Sequence, residues 1–110
     1  MTQFKQAVTD RHIVWPALPT NAELAAADAS SLTFGVRLSN DTADRLGVPR
    51  PGVLSTRDVP GMPRSAVPIL VDAGVKALTE GMNGRMVPVN VPPVFKWKDP
   101  ASGKSILTLW

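Results

Sequence analysis

Asp58 is the residue best placed by sequence to do chemistry. It closes the run Val53–Asp58 (VLSTRD) and is followed by Val59, Pro60 and Gly61, so it stands where a strand gives way to a sharp turn. In folds built from strand–helix units, binding and catalytic groups collect at the carboxyl ends of strands. A carboxylate there can act as a nucleophile or a metal ligand. It can equally cap the following helix, or pair with Arg57 or Arg64. In an alternating strand Leu54, Thr56 and Asp58 share one face, and Val53, Ser55 and Arg57 the other. Glu23, an acid soon after an earlier apolar run, could point into the same cleft; on a helix surface it and Asp28 would be solvated acids. Asn83 could hydrogen-bond a polyol or serve as a left-handed turn residue. Phe95 and Trp97 could form a platform for a sugar ring or pair as core aromatics at hairpin spacing. Ser55 and Thr56 have no base beside them, and His12 is the single histidine. Gly81-Met-Asn-Gly84 lacks the lysine and Ser/Thr that a phosphate-binding loop requires.

The elements that must position these residues follow from pattern. Residues 51–78 read as a unit: the Pro51-Gly52 turn, a strand over Val53–Asp58, an elbow from Val59 to Pro63, a helix to about Ala73, a stop at Gly74 and a strand over Val75–Leu78. A strand–helix–strand unit makes a parallel pair, since parallel strands need a crossover. Upstream, His12–Leu18 (HIVWPAL) is a short apolar run that suits a buried strand, ending near Trp15 because Pro16 cannot donate to a ladder. Asn21 can cap a helix over Ala22–Asn40, bent or divided near Ser30, with Glu23 in its first turn. Asp41–Leu46 adds a further helical turn or two, closed by Gly47. Residues 1–11 form a polar lead with a helical turn through Phe4 and Val8. Downstream, Thr79–Pro93 is a long loop. Val94–Lys98 and Ser105–Trp110 alternate across a turn-rich link and form a β-hairpin. The order is that of an α/β chain with three strand–helix steps and a C-terminal hairpin.

Composition limits the function classes. The 110 residues make one modest domain, 44% hydrophobic, with a formal net charge of +3 that is not gathered into a basic stripe. Nucleic-acid binding is not expected on that pattern. The absence of cysteine excludes disulfides, thiolate zinc sites and cysteine nucleophiles, and one histidine excludes a two-histidine metal site within the chain. No run is long and apolar enough for a membrane span or a secretory signal, so a cytoplasmic chain is expected. An apolar strand ending on Trp110 is an unusual finish, and a fragment of a larger barrel is the expectation.

The segments beginning at Ile13 (IVWPALPTNAE), Ser55 (STRDVPGM), Ala77 (ALTEGMNG) and Phe95 (FKWKDPASGKSILTLW) resemble, in that order, the N-terminal barrel of glycoside hydrolase family 38 α-mannosidases, and most closely an uncharacterised branch of it. The resemblance covers about residues 12–110. It implies a partial seven-stranded (β/α)7 barrel of the glycosidase/deacetylase type, a carbohydrate substrate, and metal-assisted retaining hydrolysis with zinc. By resemblance Asp58 would be both nucleophile and zinc ligand, with Asn83 and Glu23 as further cleft residues. The chain departs from the family pattern at several points. His12 is followed by Ile13 and Val14 rather than by a His-x-Asp pair, Met62 stands where the family has histidine, and Ser55 where it has tryptophan. These departures suit two rivals: a non-catalytic carbohydrate- or partner-binding piece, and an incomplete reading frame that self-associates through exposed strand edges.

Overall fold

The computed structural model describes residues 2–59, 61–82, 84, 85, 87 and 89–110. Three helices, α1 (Thr2–Thr9), α2 (Ala29–Leu46) and α3 (Ala66–Asp72), accompany four strands, β1 (Val53–Arg57), β2 (Ala77–Gly81), β3 (Val94–Lys98) and β4 (Ser105–Leu109). The strands form one mixed sheet in the order β1-β2-β4-β3. β1, β2 and β4 run parallel; β3 pairs antiparallel with β4 at the edge. The chain is therefore a small mixed α/β domain.

Register sorts the sheet into two faces. Leu54 aligns with Leu78, Leu78 with Thr108, and Thr108 with Phe95; one row away Thr56 aligns with Glu80, and Ile106 with Trp97. Leu54, Leu78 and Ile106 are buried in one core with Val67 and Leu70 of α3 and Leu32 and Val36 of α2. Helices thus cover this face. On the other, Val53, Leu107, Leu109 and Val94 remain exposed.

The central unit forms as expected, with shifted limits. α3 starts at Ala66 rather than just after Pro63, and Pro68 sits in its first turn, where a missing N–H costs no helical bond. Its closure brings Gly74 to φ 91°. β2 begins at Ala77 rather than Val75. Val75 is instead buried in the turn, its N–H on Leu70 O (2.9 Å), and Lys76 N–H makes a bond to Gly52 O (2.7 Å) just ahead of the ladder. The strand consequently runs on through Glu80, a residue assigned to loop by pattern alone.

Two upstream expectations are corrected. His12–Trp15 is not a strand; residues 11–20 are irregular, with turns and bends on both sides of residues 14–16. With Pro16 and Pro19 unable to donate, only Ala17 N–H reaches the sheet edge, at Val53 O (2.7 Å). The buried residues here are Ala17 and Leu18, not the β-branched pair before them. One strand–helix–strand unit is present rather than three such steps. Nor does a helix start at Asn21. Residues 24–26 form a turn, and α2 begins at Ala29 with Asp28 as its cap, Asp28 Oδ1 accepting from Ser31 N–H (2.7 Å). Asp is a strong N-cap and a poor helix-interior residue, so the alanine run ahead of it stays out. The far end closes as the sequence implies. Gly47 at φ 69° lets its N–H reach Asp44 O, and Val48 N–H reach Ala43 O, both at 3.1 Å, in a Schellman arrangement. Among the described residues no helix is long and apolar enough to cross a membrane.

Candidate functional site

The site lies at the carboxyl ends of β1 and β2. Strand pairing continues one bond past the ladder, Asp58 N–H donating to Gly81 O (2.8 Å), and this fixes the backbone of Asp58 against β2. The chain then turns sharply. Asp58 has φ 58°, one of two described non-glycine residues in the left-handed region. Aspartate tolerates that conformation better than most residues, at some cost in strain. Gly81 lies opposite: the Arg57 stem passes over it, and a Cβ there would lie 3.3 Å from Arg57 Cγ, so that exposed stem would have to give by a few tenths of an ångström.

Asp58 does not cap α3, which begins behind Ser65 with no side-chain cap bond. Of the two arginines it could pair with, it takes Arg57, whose Nε is 3.8 Å from Asp58 Oδ2. Arg64 turns instead to Asp99 (3.6 Å). Asp58 is about half-exposed, with a side-chain exposure of 43%, so this pair is solvated and weak.

Beside it stands an acid of different character. Glu80 is half-buried on β2, and Thr56 Oγ1, buried on β1, donates a hydrogen bond to Glu80 Oε2. Burial pushes the Glu80 carboxyl above the ordinary value; the Thr56 bond offsets part of that rise, and the charges of Asp58 and Glu23 add to it. Two carboxyl groups on adjacent strands are thus held in contrasting surroundings, the condition that separates an acid from an ionised partner.

These groups line a cavity of about 480 Å³ shared with Met62, Phe95, Trp97 and Trp110 and with valines of the β2–β3 connection. That is within the usual size of a small-molecule site. The aromatics are linked: ring centroids are 6.2 Å apart for Phe95 and Trp97 and 6.0 Å for Trp97 and Trp110, the latter edge-to-face. Trp97 packs against the core and also lines the cavity.

The remaining candidates divide. Glu23 is near enough to bear on Glu80 electrostatically, but its Oε1 accepts from Ala25 N–H (3.3 Å) and it is not part of the cavity lining. Asn83 lies outside the described residues. Ser55 and His12 are exposed and away from the cavity. Asn21, expected as a cap, instead clamps the edge of β1: its Nδ2 donates to Arg57 O (2.6 Å) and its Oδ1 accepts from Arg57 N–H (2.9 Å). Sequence pattern ends β2 at Leu78 and so misses Glu80, which shares the face of Leu78 and meets Thr56 only through the register of the ladder.

Among the described residues no three His, Cys, Asp or Glu side chains converge to hold a metal ion. Asp58 and Glu80 supply two carboxylates, whereas a catalytic zinc takes three protein ligands. This donor set does not fit zinc by itself. Comparison of the chain with models of protein families gives no match, and comparison with curated proteins gives none either.

Proposed function

We propose that this chain forms part of a carbohydrate-active glycoside hydrolase, α-mannosidase-like, with Asp58 as the nucleophile and Glu80 as the acid that protonates the leaving oxygen. The observation that carries the reading is the pairing of an exposed, ion-paired Asp58 with a half-buried Glu80 of raised proton affinity, at the ends of adjacent parallel strands, in an aromatic-lined cleft. Retaining hydrolysis needs two carboxyl groups in those roles: one ionised for attack at the anomeric carbon, one protonated to release the alcohol, which then serves as base for the incoming water. Aromatic faces such as those of Phe95 and Trp97 suit the C–H faces of a sugar ring.

The finer architecture belongs to the same proposal: β1, β2 and β4 are three staves of a (β/α)7-type barrel. Its support is the parallel run β1-β2-β4, in which a helical crossover joins β1 to β2.

The alternative is a carbohydrate-binding piece without turnover, favoured by the Arg57 partner that already engages Asp58. Incubation with an activated fluoroglycoside, which traps the glycosyl ester, separates the two. A mass increase of one fluorosugar on the peptide containing Asp58, absent in Asp58→Asn and longer-lived in Glu80→Gln, where the base that activates water is gone, is the expected result. Binding of the glycoside with no adduct in any variant overturns the hydrolase.

A further inference from the structure

Strand order divides the cleft into two chemically different ends. β1 and β2 lie at one side of the sheet and bring Asp58 and Glu80; β4 and β3 lie at the other and bring Trp110, Phe95 and Trp97. Among the described lining residues those two carboxyl groups are the only charged side chains, and no Ser, Thr, Asn or Gln accompanies them. The connection between β2 and β3 adds Val87, Val89 and Val91, which are 89%, 53% and 37% exposed. Three outward-facing valines around a cavity are costly to leave against water and gain from apolar cover.

An oligosaccharide extended through such a cleft would meet only the indole N–H donors of Trp97 and Trp110 at the aromatic end, too few for its hydroxyls, and burying unpaired hydroxyls is unfavourable. An alkyl or aryl group loses nothing there. We infer that the site takes a glycoside whose aglycone is apolar, the sugar lying over Asp58 and Glu80 and the aglycone against Trp97, Trp110 and the three valines. This inference rests on the hydrolase reading for the sugar end; the apolar end stands on the lining alone.

The test is calorimetric titration of the whole chain with methyl, butyl and hexyl α-mannoside, beside mannose and hexanol. Each methylene that enters the apolar end should tighten binding about fourfold. The exposed positions of Val89 and Val91 allow the Val89→Ser/Val91→Ser double variant to fold, and it should flatten that gradient. An affinity independent of chain length overturns the inference and leaves the hydrolase reading intact. Hexanol binding as tightly as hexyl mannoside overturns both, since the sugar would then contribute nothing.

Discussion

Replacing Thr56 by valine isolates the interaction that sets the character of Glu80. Valine keeps the β-branch and the volume that β1 needs, so the loss is confined to one hydroxyl donor. A hydrogen bond to a charged group contributes about 1.5–3 kcal/mol; because Glu80 is half-buried and water can partly replace the donor, about 1–2 kcal/mol is expected here. For a domain of this size that lowers Tm by roughly 5–15 °C. The effect depends on pH with a definite sign. The folded-state value of Glu80 is raised above the ordinary 4.5, so its contribution to stability is fully present below 4.5 and declines as pH rises through the folded value. Thr56→Val removes a donor that favours the ionised form, raises the value further, and therefore costs most above that range and least near pH 4. Urea unfolding followed by tryptophan fluorescence at pH 4 and pH 8, in a double-mutant cycle with Glu80→Gln, measures it. A coupling of about 1 kcal/mol at pH 8 that shrinks at pH 4 is expected. Equal losses at both pH values, additive with Glu80→Gln, would refute the assignment of the Thr56 hydroxyl to the charge on Glu80.

Two other perturbations follow from the geometry. Asn21→Ala strips both backbone partners from Arg57 at an exposed edge, where water substitutes in part; a loss of about 0.5–1.5 kcal/mol is expected, with faster amide exchange at Arg57 and Asp58. Asp99, buried in the β3–β4 turn, accepts from Ser102 Oγ (2.6 Å) and Ser102 N–H (2.9 Å), and these bonds, with Arg64 nearby, hold its carboxyl below the ordinary 3.8. Its contribution is therefore present above pH 3.8 and lost as pH falls through the lowered value; Asp99→Asn should lower Tm at neutral pH and leave the acid limb of the stability profile shallower, as thermal melts from pH 2 to 7 would record.

The parts of this fold that were legible are those decided locally. The β3–β4 hairpin alternates and has turn residues between its strands, and the helix closed by Gly47 needs a left-handed residue at that place; neither depends on distant chain. The βαβ unit was legible in kind but not in limits, because Val75 is held by a turn bond to Leu70 that no periodicity encodes. His12–Trp15 failed for a related reason. An apolar run fixes neither burial nor pairing: Ile13 and Val14 are exposed, and the bond to the sheet edge falls to Ala17 beyond Pro16. At the site, Asp58 was found because a strand end marks it. Glu80 was not, because its meaning comes from Thr56 across the sheet, a contact made by register. Asn21 was recognised as a residue that satisfies backbone groups, but the groups it satisfies are 36 residues away.

The clamp at the β1 edge also bears on how copies of the chain could meet. Residues 53, 55 and 57 direct their backbone groups away from β2; Ala17 already occupies Val53 O, and Asn21 occupies both groups of Arg57, leaving Ser55 flanked by filled positions. A neighbouring strand cannot zip along that side without displacing the clamp. Among the described residues the sheet is left with one free margin, β3, which carries Lys96 and Lys98 as a deterrent to like strands. A particle with two adhesive margins can grow without limit, whereas one with a single margin uses it up in a two-fold pair and stops. Asn21 therefore screens the β1 margin from further strand pairing at Arg57, as Ala17 does at Val53.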